Sequence, residues 1–509
     1  MIRMKSAFVL ASLVAGASGH AFAAETVVCP DVAGASAAYG TGKAAAASGY
    51  LNLAFFSLDR AVRASAAKAD SNEFVSALAC VDQVQSKDAL VDLPNYDAEM
   101  ATASAKTKSA EGKEAIAHYA FRSALQRIAG GFTAAAKSPS ALDGLKKLAK
   151  DPAAKNAALY DAALTGLAAS ANADYATAKP ALRKAFALAD GEKATFRAEL
   201  KLALARALYA TGEDAAAIAE YESLYKIGAP MQDALIESGW AHLRSKNYVK
   251  SIGLSYELST GKLAQFFAPE ANSIRAIGLF ENCRYAASRN AISRFSSEYG
   301  LVAEWLKLAA KGEHSLYETA VARSEGAIGA ETVPEKVWSM WSSSDVFVSL
   351  QSGIRNAFAE ERDAAEWIAE QESPKTKAAL AADLKLVSKL RARAASRIES
   401  HLAKLDASMA KRIARESERL RFVRIEASQG AGRDLVFRNA NPGLAEVEKQ
   451  VAKEDRKAKS YRGKLAWGKV NAEDPSAEMW IDEIGSYEAA TLDRCKAKVE
   501  YKKLQANRE

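Results

Sequence analysis

The sequence predicts an all-α protein: an α-solenoid of repeated helix pairs, then a long antiparallel helical hairpin, then a tail that packs back on the solenoid. Nearly half of the 509 residues are apolar and many are alanine, the best helix former, whereas proline, the worst, occurs 11 times. Apolar residues recur at three- and four-residue spacing, which is typical of helices. The middle of the chain also repeats at a period near 34 residues, which indicates stacked helical units.

Residues 1–23 are predicted to be a cleaved signal peptide. Arg3 and Lys5 precede the apolar run AFVLASLVAGA, and the tripeptide AFA at 21–23 has the small-x-small pattern of a cleavage site. The alternative, an N-terminal membrane anchor, needs about 20 apolar residues, and this run is shorter. We therefore expect a periplasmic protein, either free or peripheral to an envelope membrane.

Residues 24–150 are predicted to form an N-terminal helical region. Segments such as SGYLNLAFFSLDRAV have the apolar spacing of helices, but no regular period joins them. We interpret them as degenerate repeats that cap the solenoid.

Residues 151–331 are predicted to form the solenoid itself. In LALARALYATGEDAAAIAEYESLYKIGAP, at 202–230, Gly212 begins a turn between two helices. Lys246 lies 34 residues after Gly212 at the corresponding turn, and Tyr285 lies 37 residues after Tyr248. This layout resembles the tetratricopeptide repeat, in which stacking buries helix faces that one pair alone leaves open. The alternative is a set of unrelated helical hairpins.

A partner-binding groove is predicted on these repeat helices. Its residues are the aromatic and imidazole side chains Tyr221, Trp240, His242 and Tyr248. His242 is interpreted as a core or groove residue and not as a metal ligand, because the histidines are dispersed and do not cluster with cysteines.

Residues 332–428 are predicted to form the hairpin. A first helix follows a Thr/Pro start signal near 332, and a second extends from Lys375 to Ala427 after the segment EQESPKTK. The second helix carries an apolar seam of alternating three- and four-residue steps, interrupted at Arg391 and Glu416. Such a seam predicts an antiparallel coiled coil.

The second helix of this hairpin is also the most basic part of the chain. It holds 14 Lys and Arg against 6 Asp and Glu. The predicted basic face consists of Arg391, Arg393, Arg397, Arg412, Arg415 and Arg419. It is either a solvated helix face or a contact for anionic lipid or an acidic cell-wall polymer. Nucleic acid is not expected as a partner, because the basic residues are not interleaved with aromatic ones.

No arrangement of residues in the sequence predicts catalysis. There is no H-E-x-x-H, and the segment YGTGKA at 39–44 lacks the first glycine and the Ser/Thr of a phosphate-binding loop. We therefore predict a protein that is not an enzyme and that binds no cofactor or metal.

Two patches add a resemblance to a family. The segment FAPEANSIRAIGLFENCRY at 267–285 and the tail MWIDEIGSYEAATLDRC at 479–495 resemble periplasmic tetratricopeptide-repeat proteins of myxobacteria and predatory deltaproteobacteria, some of them associated with gliding motility. The resemblance implies a scaffold. The large aromatic residues of the tail, residues 429–509, separately predict that it docks against another element, and we expect it to return to the solenoid.

The four cysteines, Cys29, Cys80, Cys283 and Cys495, allow three connectivities or four isolated thiols. Each of the two patches that carry the resemblance contains one cysteine. We therefore expect a Cys283–Cys495 disulfide, with Cys29–Cys80 as its counterpart. Cys283 is expected at a turn between two helices.

The leading hypothesis is a non-enzymatic cell-envelope scaffold or adaptor that binds protein partners through its groove. The alternative is a periplasmic tether that binds anionic lipid or cell wall through the basic helix. The sequence leaves the oligomeric state open.

Overall fold

A computed structural model describes most of the chain. The described residues are 27–67, 72–87, 90–94, 96–126, 137–151, 156–192, 194–225, 231–259, 261–327, 333–460 and 493–507. The predicted signal peptide at 1–23 and most of the tryptophan-rich part of the tail, at 461–492, lie outside them.

The described residues confirm the all-α prediction, because they form helices and connecting turns and no β-strand. One 3₁₀ helix spans Gly261–Gln265. The α-helices are α1 (Ala37–Ala47), α2 (Leu51–Ser65), α3 (Asn72–Ser86), α4 (Asp97–Ser104), α5 (Ala110–Gln126), α6 (Pro139–Ala149), α7 (Ala157–Ala171), α8 (Tyr175–Leu188), α9 (Ala194–Ala210), α10 (Asp214–Leu224), α11 (Met231–Arg244), α12 (Tyr248–Glu257), α13 (Pro269–Glu281), α14 (Tyr285–Ala309), α15 (Leu316–Ser324), α16 (Glu335–Ser342), α17 (Asp345–Ala369), α18 (Pro374–Ala440), α19 (Leu444–Ser460) and α20 (Arg494–Ala506).

The chain divides into two compact units, each assembled from three separate stretches. Unit 1 contains Met1–Asp190, His314–Glu331 and Trp341–Lys404, and unit 2 contains Gly191–Glu313, Thr332–Met340 and Leu405–Glu509. Each predicted domain is one continuous stretch of the chain, whereas each observed unit combines three stretches that are distant in sequence. Helix α18 therefore contributes residues to both units.

Unit 1 is built on successive helices, in which α1 packs on α2, α2 on α3 and α7 on α8. The buried face of α2 contributes Leu53 and Leu58 to the core, where Phe74 of α3 also lies. Ala364 of α17 and Leu380 of α18 belong to the same core. The long helices are therefore integral to this unit.

Two carboxylates from the long helices cap shorter helices of unit 1. Glu360 of α17 accepts hydrogen bonds from the backbone N–H groups of Asn52 (3.2 Å) and Leu53 (2.7 Å), where α2 begins. Glu399 of α18 does the same where α15 begins, with the N–H of Tyr317 donating at 2.7 Å. The first N–H groups of a helix have no partner inside it, so each carboxylate fixes a helix start.

Five helix pairs among the described residues share one turn geometry. The first helix ends, one residue adopts a left-handed backbone, and the second helix begins two residues later. The left-handed residues, with φ between 56° and 82°, are Gly49, Ala173, Gly212, Lys246 and Cys283. At each turn the following N–H donates to the carbonyl five residues earlier, as from Glu213 to Leu208 at 3.0 Å, which is the Schellman cap of a helix. The turns at Gly212, Lys246 and Cys283 lie at the positions that the 34- and 37-residue spacing predicts.

Three of these pairs form the helical part of unit 2 from α9 to α14. Each helix packs on the next one, and α11 also packs on α13. A Cβ atom at Gly278 would lie 2.9 Å from Cγ1 of Ile252, so the approach of α13 to α12 requires a glycine. Small residues at helix contacts were expected from the repeat pattern.

The prediction that the long helix ends at Ala427 is wrong, because α18 continues for 67 residues from Pro374 to Ala440. The segment SQGAGRD at 428–434, where the predicted tail begins, is helical. Its Gly430 lies against Tyr285, whose ring would be 2.5 Å from an added Cβ. Contact with α14 therefore explains this glycine better than a helix end does.

The apolar seam of α18 is buried in both units. Leu380, Val387, Ala394, Ile398 and Leu402 are buried in unit 1, and Met409, Ile413, Leu420, Val423 and Ala427 are buried in unit 2. No helix among the described residues combines the length and the apolar composition needed to cross a membrane.

Two disulfides join the four cysteines in the predicted pairs. The Cα atoms of Cys29 and Cys80 are 5.5 Å apart, and those of Cys283 and Cys495 are 5.2 Å apart, within the range of disulfides. The second bond attaches α20 to the turn between α13 and α14, where the N–H of Arg494 also donates to the carbonyl of Asn282 at 3.1 Å. For this part of the tail, the structure shows the predicted return to the helix pairs.

Candidate functional site: the arginine face of the long helix

The six arginines of the predicted basic face fall into two groups of three. Arg391, Arg393 and Arg397 belong to unit 1, and Arg412, Arg415 and Arg419 belong to unit 2. They share one helix, but the groups differ in what surrounds them.

The group in unit 2 is bound to two buried carboxylates. Arg412 donates to both oxygens of Glu270, from Nε at 3.0 Å and Nη2 at 2.8 Å. Arg415 joins the two carboxylates, because it donates to Glu270 at 3.0 Å and to Glu416 at 3.1 Å. Arg419 completes the chain with a 2.7 Å hydrogen bond to Glu416. Both glutamates are buried, so these charges neutralise one another inside the unit.

Two of these arginines also lie over aromatic rings. The guanidinium carbon of Arg412 is 5.0 Å from the centre of the Phe267 ring, and that of Arg419 is 4.6 Å from the Trp240 ring. Burial tends to lower the pKa of Arg412, but its hydrogen bonds to Glu270 outweigh that effect and raise the pKa. The second half of α18 therefore holds the first helices of two pairs, α11 and α13, through charge and aromatic contact together.

The four predicted groove residues do not form an open surface. Tyr221 is buried and donates to Glu237 at 3.0 Å, and His242 is also buried. Burial, helped by the positive charge of Lys250, lowers the pKa of His242 to about 4. Both residues therefore pack inside the helix pairs, where aromatic and imidazole rings fill the gap between successive helices.

The other two groove residues are half-buried. Trp240 has one ring face under Arg419 of the same chain. Tyr248 lies at the start of α12, with its hydroxyl 3.5 Å from Glu281. Tyr248 therefore keeps part of its side chain exposed.

The arginines of unit 1 have more exposed partners. Arg391 donates to Glu361 at 3.0 Å and lies over the Phe358 ring. Arg397 donates to Asp92 at 3.2 Å, and both of these side chains are more than half exposed. Arg391 and Arg397 are therefore bound to unit 1 by pairs that water can reach.

A cleft of roughly 380 Å³ opens beside this group in unit 1. Its lining combines apolar side chains with three arginines, Arg63, Arg393 and Arg397, and with Asp59 and Asp92. Arg63 is paired with Asp59 and Arg397 with Asp92. Arg393 forms no ion pair with any described residue, so it is the member of the predicted basic face whose charge is available to an anion.

The sequence analysis did not predict the role of the acidic residues that are buried along α18. Asp383, Asp406, Glu416 and Asp434 are all buried along α18, and Asp383, for example, binds Arg60 at 3.0 Å. Each lies on or beside the buried apolar seam. A carboxylate at such a position was the available signal, because its charge must be paired once the seam is buried.

The described residues contain no cluster of three or more His, Cys, Asp or Glu side chains that could hold a metal ion. Comparison with protein-family models, with curated proteins and with solved structures found no match to this chain.

Proposed function

We propose that this chain is a non-enzymatic scaffold or adaptor of the cell envelope, whose helix pairs are of tetratricopeptide type and bind protein partners. The observation that carries the proposal is the series of equivalent Schellman turns at Ala173, Gly212, Lys246 and Cys283. Repeated helix pairs of this kind expose long surfaces made of successive helices, and such surfaces commonly bind helices and peptides.

The second half of α18 supports this proposal, because it is itself a helix held on two of the pairs. Its seam is buried and its arginines bind Glu270 and cover Trp240. The pairs therefore already bind an amphipathic helix of their own chain. A partner would bind another part of the stack, near the partly exposed Tyr248.

The predicted antiparallel coiled-coil hairpin belongs to the same proposal. Lys377 donates to the carbonyl of Ala369 at 2.6 Å, and Arg391 binds Glu361 at 3.0 Å. In an antiparallel hairpin, each successive contact joins residues that lie further from the turn on both helices, as these two contacts do. We propose that α17 and α18 stiffen the scaffold in this way.

The proposed location is the periplasm, with the family resemblance suggesting envelope or gliding-motility machinery. The two joined cysteine pairs support this location, because disulfides persist in oxidising compartments.

The scaffold is tested by placing a photo-crosslinking amino acid at Tyr248 and, as a control, at Leu301, which is 72 % exposed on α14. Intact envelopes are irradiated, crosslinked proteins are identified, and each candidate is purified for a binding titration. We expect one protein to crosslink from Tyr248 and not from Leu301, and to bind the purified chain saturably. Equal crosslinking from both positions, or a candidate that does not bind in the titration, would reject the proposal.

One observation favours the tether as a second candidate, in a narrower form. The other five arginines of the predicted basic face are bound to carboxylates of their own unit, so the anion would bind in the cleft at Arg393. Apolar walls beside that charge suit an anionic lipid. Sedimentation with vesicles that contain anionic lipid should weaken with salt and be lost in Arg393→Glu, while the exposed control Arg424→Glu on the same helix retains it. Unchanged sedimentation of Arg393→Glu excludes this function.

A further inference from the structure

A second apolar stripe runs along the exposed side of the last third of α18. Phe422, Ile425 and Val436 are 62 %, 50 % and 70 % exposed, and Gln429 and Gly432 lie between them on the same face. The five positions are spaced by three, four, three and four residues, the pattern of a coiled-coil seam. The buried seam at Leu420, Val423 and Ala427 lies on the opposite side of the helix, so packing among the described residues of unit 2 does not use this stripe.

We propose that this stripe binds the same stripe of a second copy of the chain, with the two helices antiparallel. In antiparallel pairs, positions of the two seam types face each other across the interface. One register places Ile425 opposite Val436 of the second copy and Gln429 opposite its Gly432. A Cβ at Gly432 would meet nothing within 4 Å, so this position has space for the longer glutamine side chain.

The charges that flank the stripe select this register. Glu426 and Arg433 lie on the same edge of the seam, seven residues apart. In the proposed register Glu426 faces Arg433 of the second copy, and the symmetric contact repeats it. Neither side chain makes an ion pair with any described residue; Arg433 makes only a 3.4 Å contact to Gln429. Both are therefore available for this exchange.

The competing register is disfavoured by the same charges. Shifting the second helix by seven residues places Phe422 opposite Gly432 and brings Glu426 against Glu426 of the second copy. Like charges at a flanking position oppose pairing, whereas opposite charges fix register and partner. The mixture of acidic and basic residues around the stripe also suits a copy of itself better than an anionic lipid surface, which would require a uniformly basic rim.

Sedimentation equilibrium of the full-length oxidised chain, over a wide range of concentration, tests the proposal. We expect a concentration-dependent dimer. Glu426→Arg and Arg433→Glu should each reduce the association constant about tenfold or more, and the double exchange should restore it. Phe422→Ser with Ile425→Ser should leave a monomer, while Leu301→Ser, on an exposed apolar position of α14, should not alter association.

Cysteine crosslinking between two differently substituted chains then tests the register. A Gln429→Cys chain mixed with a Gly432→Cys chain should form a covalent heterodimer faster than Gln429→Cys mixed with Ile425→Cys, the pair that faces in the competing register. A chain that remains monomeric at every concentration, or a dimer that ignores the charge exchange, overturns the proposal. Preferred crosslinking of Gln429→Cys with Ile425→Cys overturns the register.

Discussion

The two halves of α18 carry the same kind of residue and use it differently. In unit 2, Arg412, Arg415 and Arg419 bind glutamates that are buried, and the side chain of Glu270 is only 7 % exposed. In unit 1, Arg397 binds Asp92, whose side chain is 66 % exposed. The arginine is similar in both cases, so the burial of the carboxylate decides what each pair contributes.

This difference in carboxylate burial distinguishes arginines that stabilise the fold from arginines whose charge is available to a ligand. An exposed pair contributes little because water and salt already solvate both charges. A buried carboxylate that loses its partner remains as an uncompensated charge or as an unsatisfied polar group, and that is costly. Composition alone, 14 basic residues on one predicted helix, does not distinguish these cases.

The largest expected effect comes from removing the acidic partner in unit 2. Glu270→Ala leaves Arg412 and Arg415 without their shared carboxylate, and we expect unit 2 to lose about 3 kcal/mol of stability. Hydrogen exchange of the amides in α13 and in the second half of α18, across a urea series, measures this loss. The double variant Glu270→Leu with Arg412→Met should recover part of it, since it removes both the carboxylate and its bidentate partner. No change in exchange would contradict the role given to the buried pair.

Acid should affect unit 2 next most strongly, through His242 in its core. Burial lowers the pKa of His242 to about 4, whereas the ring in the unfolded chain has a pKa near 6.5. The unfolded state therefore takes up a proton first, and stability falls as the pH drops from about 6.5 to about 4, by about 3 kcal/mol in all. The facing groups are Lys250, Asn247 and the more exposed Glu222, whose Oε1 is 4.0 Å from Nε2.

The measurement is the difference in urea midpoint between the native chain and His242→Gln at several pH values. The difference should change between pH 6.5 and 4 and be constant above that interval. In unit 1, burial also lowers the pKa of His401, but this ring is only partly buried, and His401→Gln should give a smaller change. A constant difference for His242→Gln across all pH values would be inconsistent with a buried neutral imidazole.

The two glycines of the segment SQGAGRD should respond in opposite directions to the same substitution. Gly430→Ala places a methyl group against the Tyr285 ring, and we expect it to cost about 1–3 kcal/mol, as overpacking does. Gly432→Ala meets nothing within 4 Å and should stabilise the helix by up to about 1 kcal/mol. Thermal unfolding of both variants tests this. Equal effects would mean that α18 does not approach α14 as closely as described.

The smallest expected effect lies in the exposed pair of unit 1. Asp92→Asn removes the partner of Arg397, and we expect a change within about 1 kcal/mol, reduced further by salt. The same hydrogen-exchange measurement, applied to the amides in the first half of α18, gives this change in stability. A loss as large as that of Glu270→Ala would remove the distinction between the two halves.

Local features of this fold could be predicted from the sequence, and partners distant in the chain could not. The turn at Cys283 and the start of α14 at Tyr285 follow from a spacing contained in a few dozen residues. The end of α18 does not, because the reason for Gly430 is Tyr285, which lies 145 residues earlier.

For the candidate site too, local features could be predicted from the sequence and distant partners could not. The six arginines could be identified from their spacing on one helix, but Glu270, which decides the role of two of them, is more than 140 residues away. The groove prediction placed Tyr221 on an open surface, whereas its ring is buried and fills the space between helices. The family resemblance led to the observed cysteine pairs, for which spacing alone left three possibilities.

The four cysteines are synthesised in an order that favours the observed disulfides. Cys80 is synthesised 51 residues after Cys29, and Cys495 is synthesised 212 residues after Cys283. At about 5–20 residues per second, the first partner arrives within roughly 3–10 s and the second only after roughly 10–40 s. If the first bond closes as soon as its partner is available, Cys283 meets no unpaired cysteine until Cys495 is made. Sequential synthesis then reduces three connectivities to one.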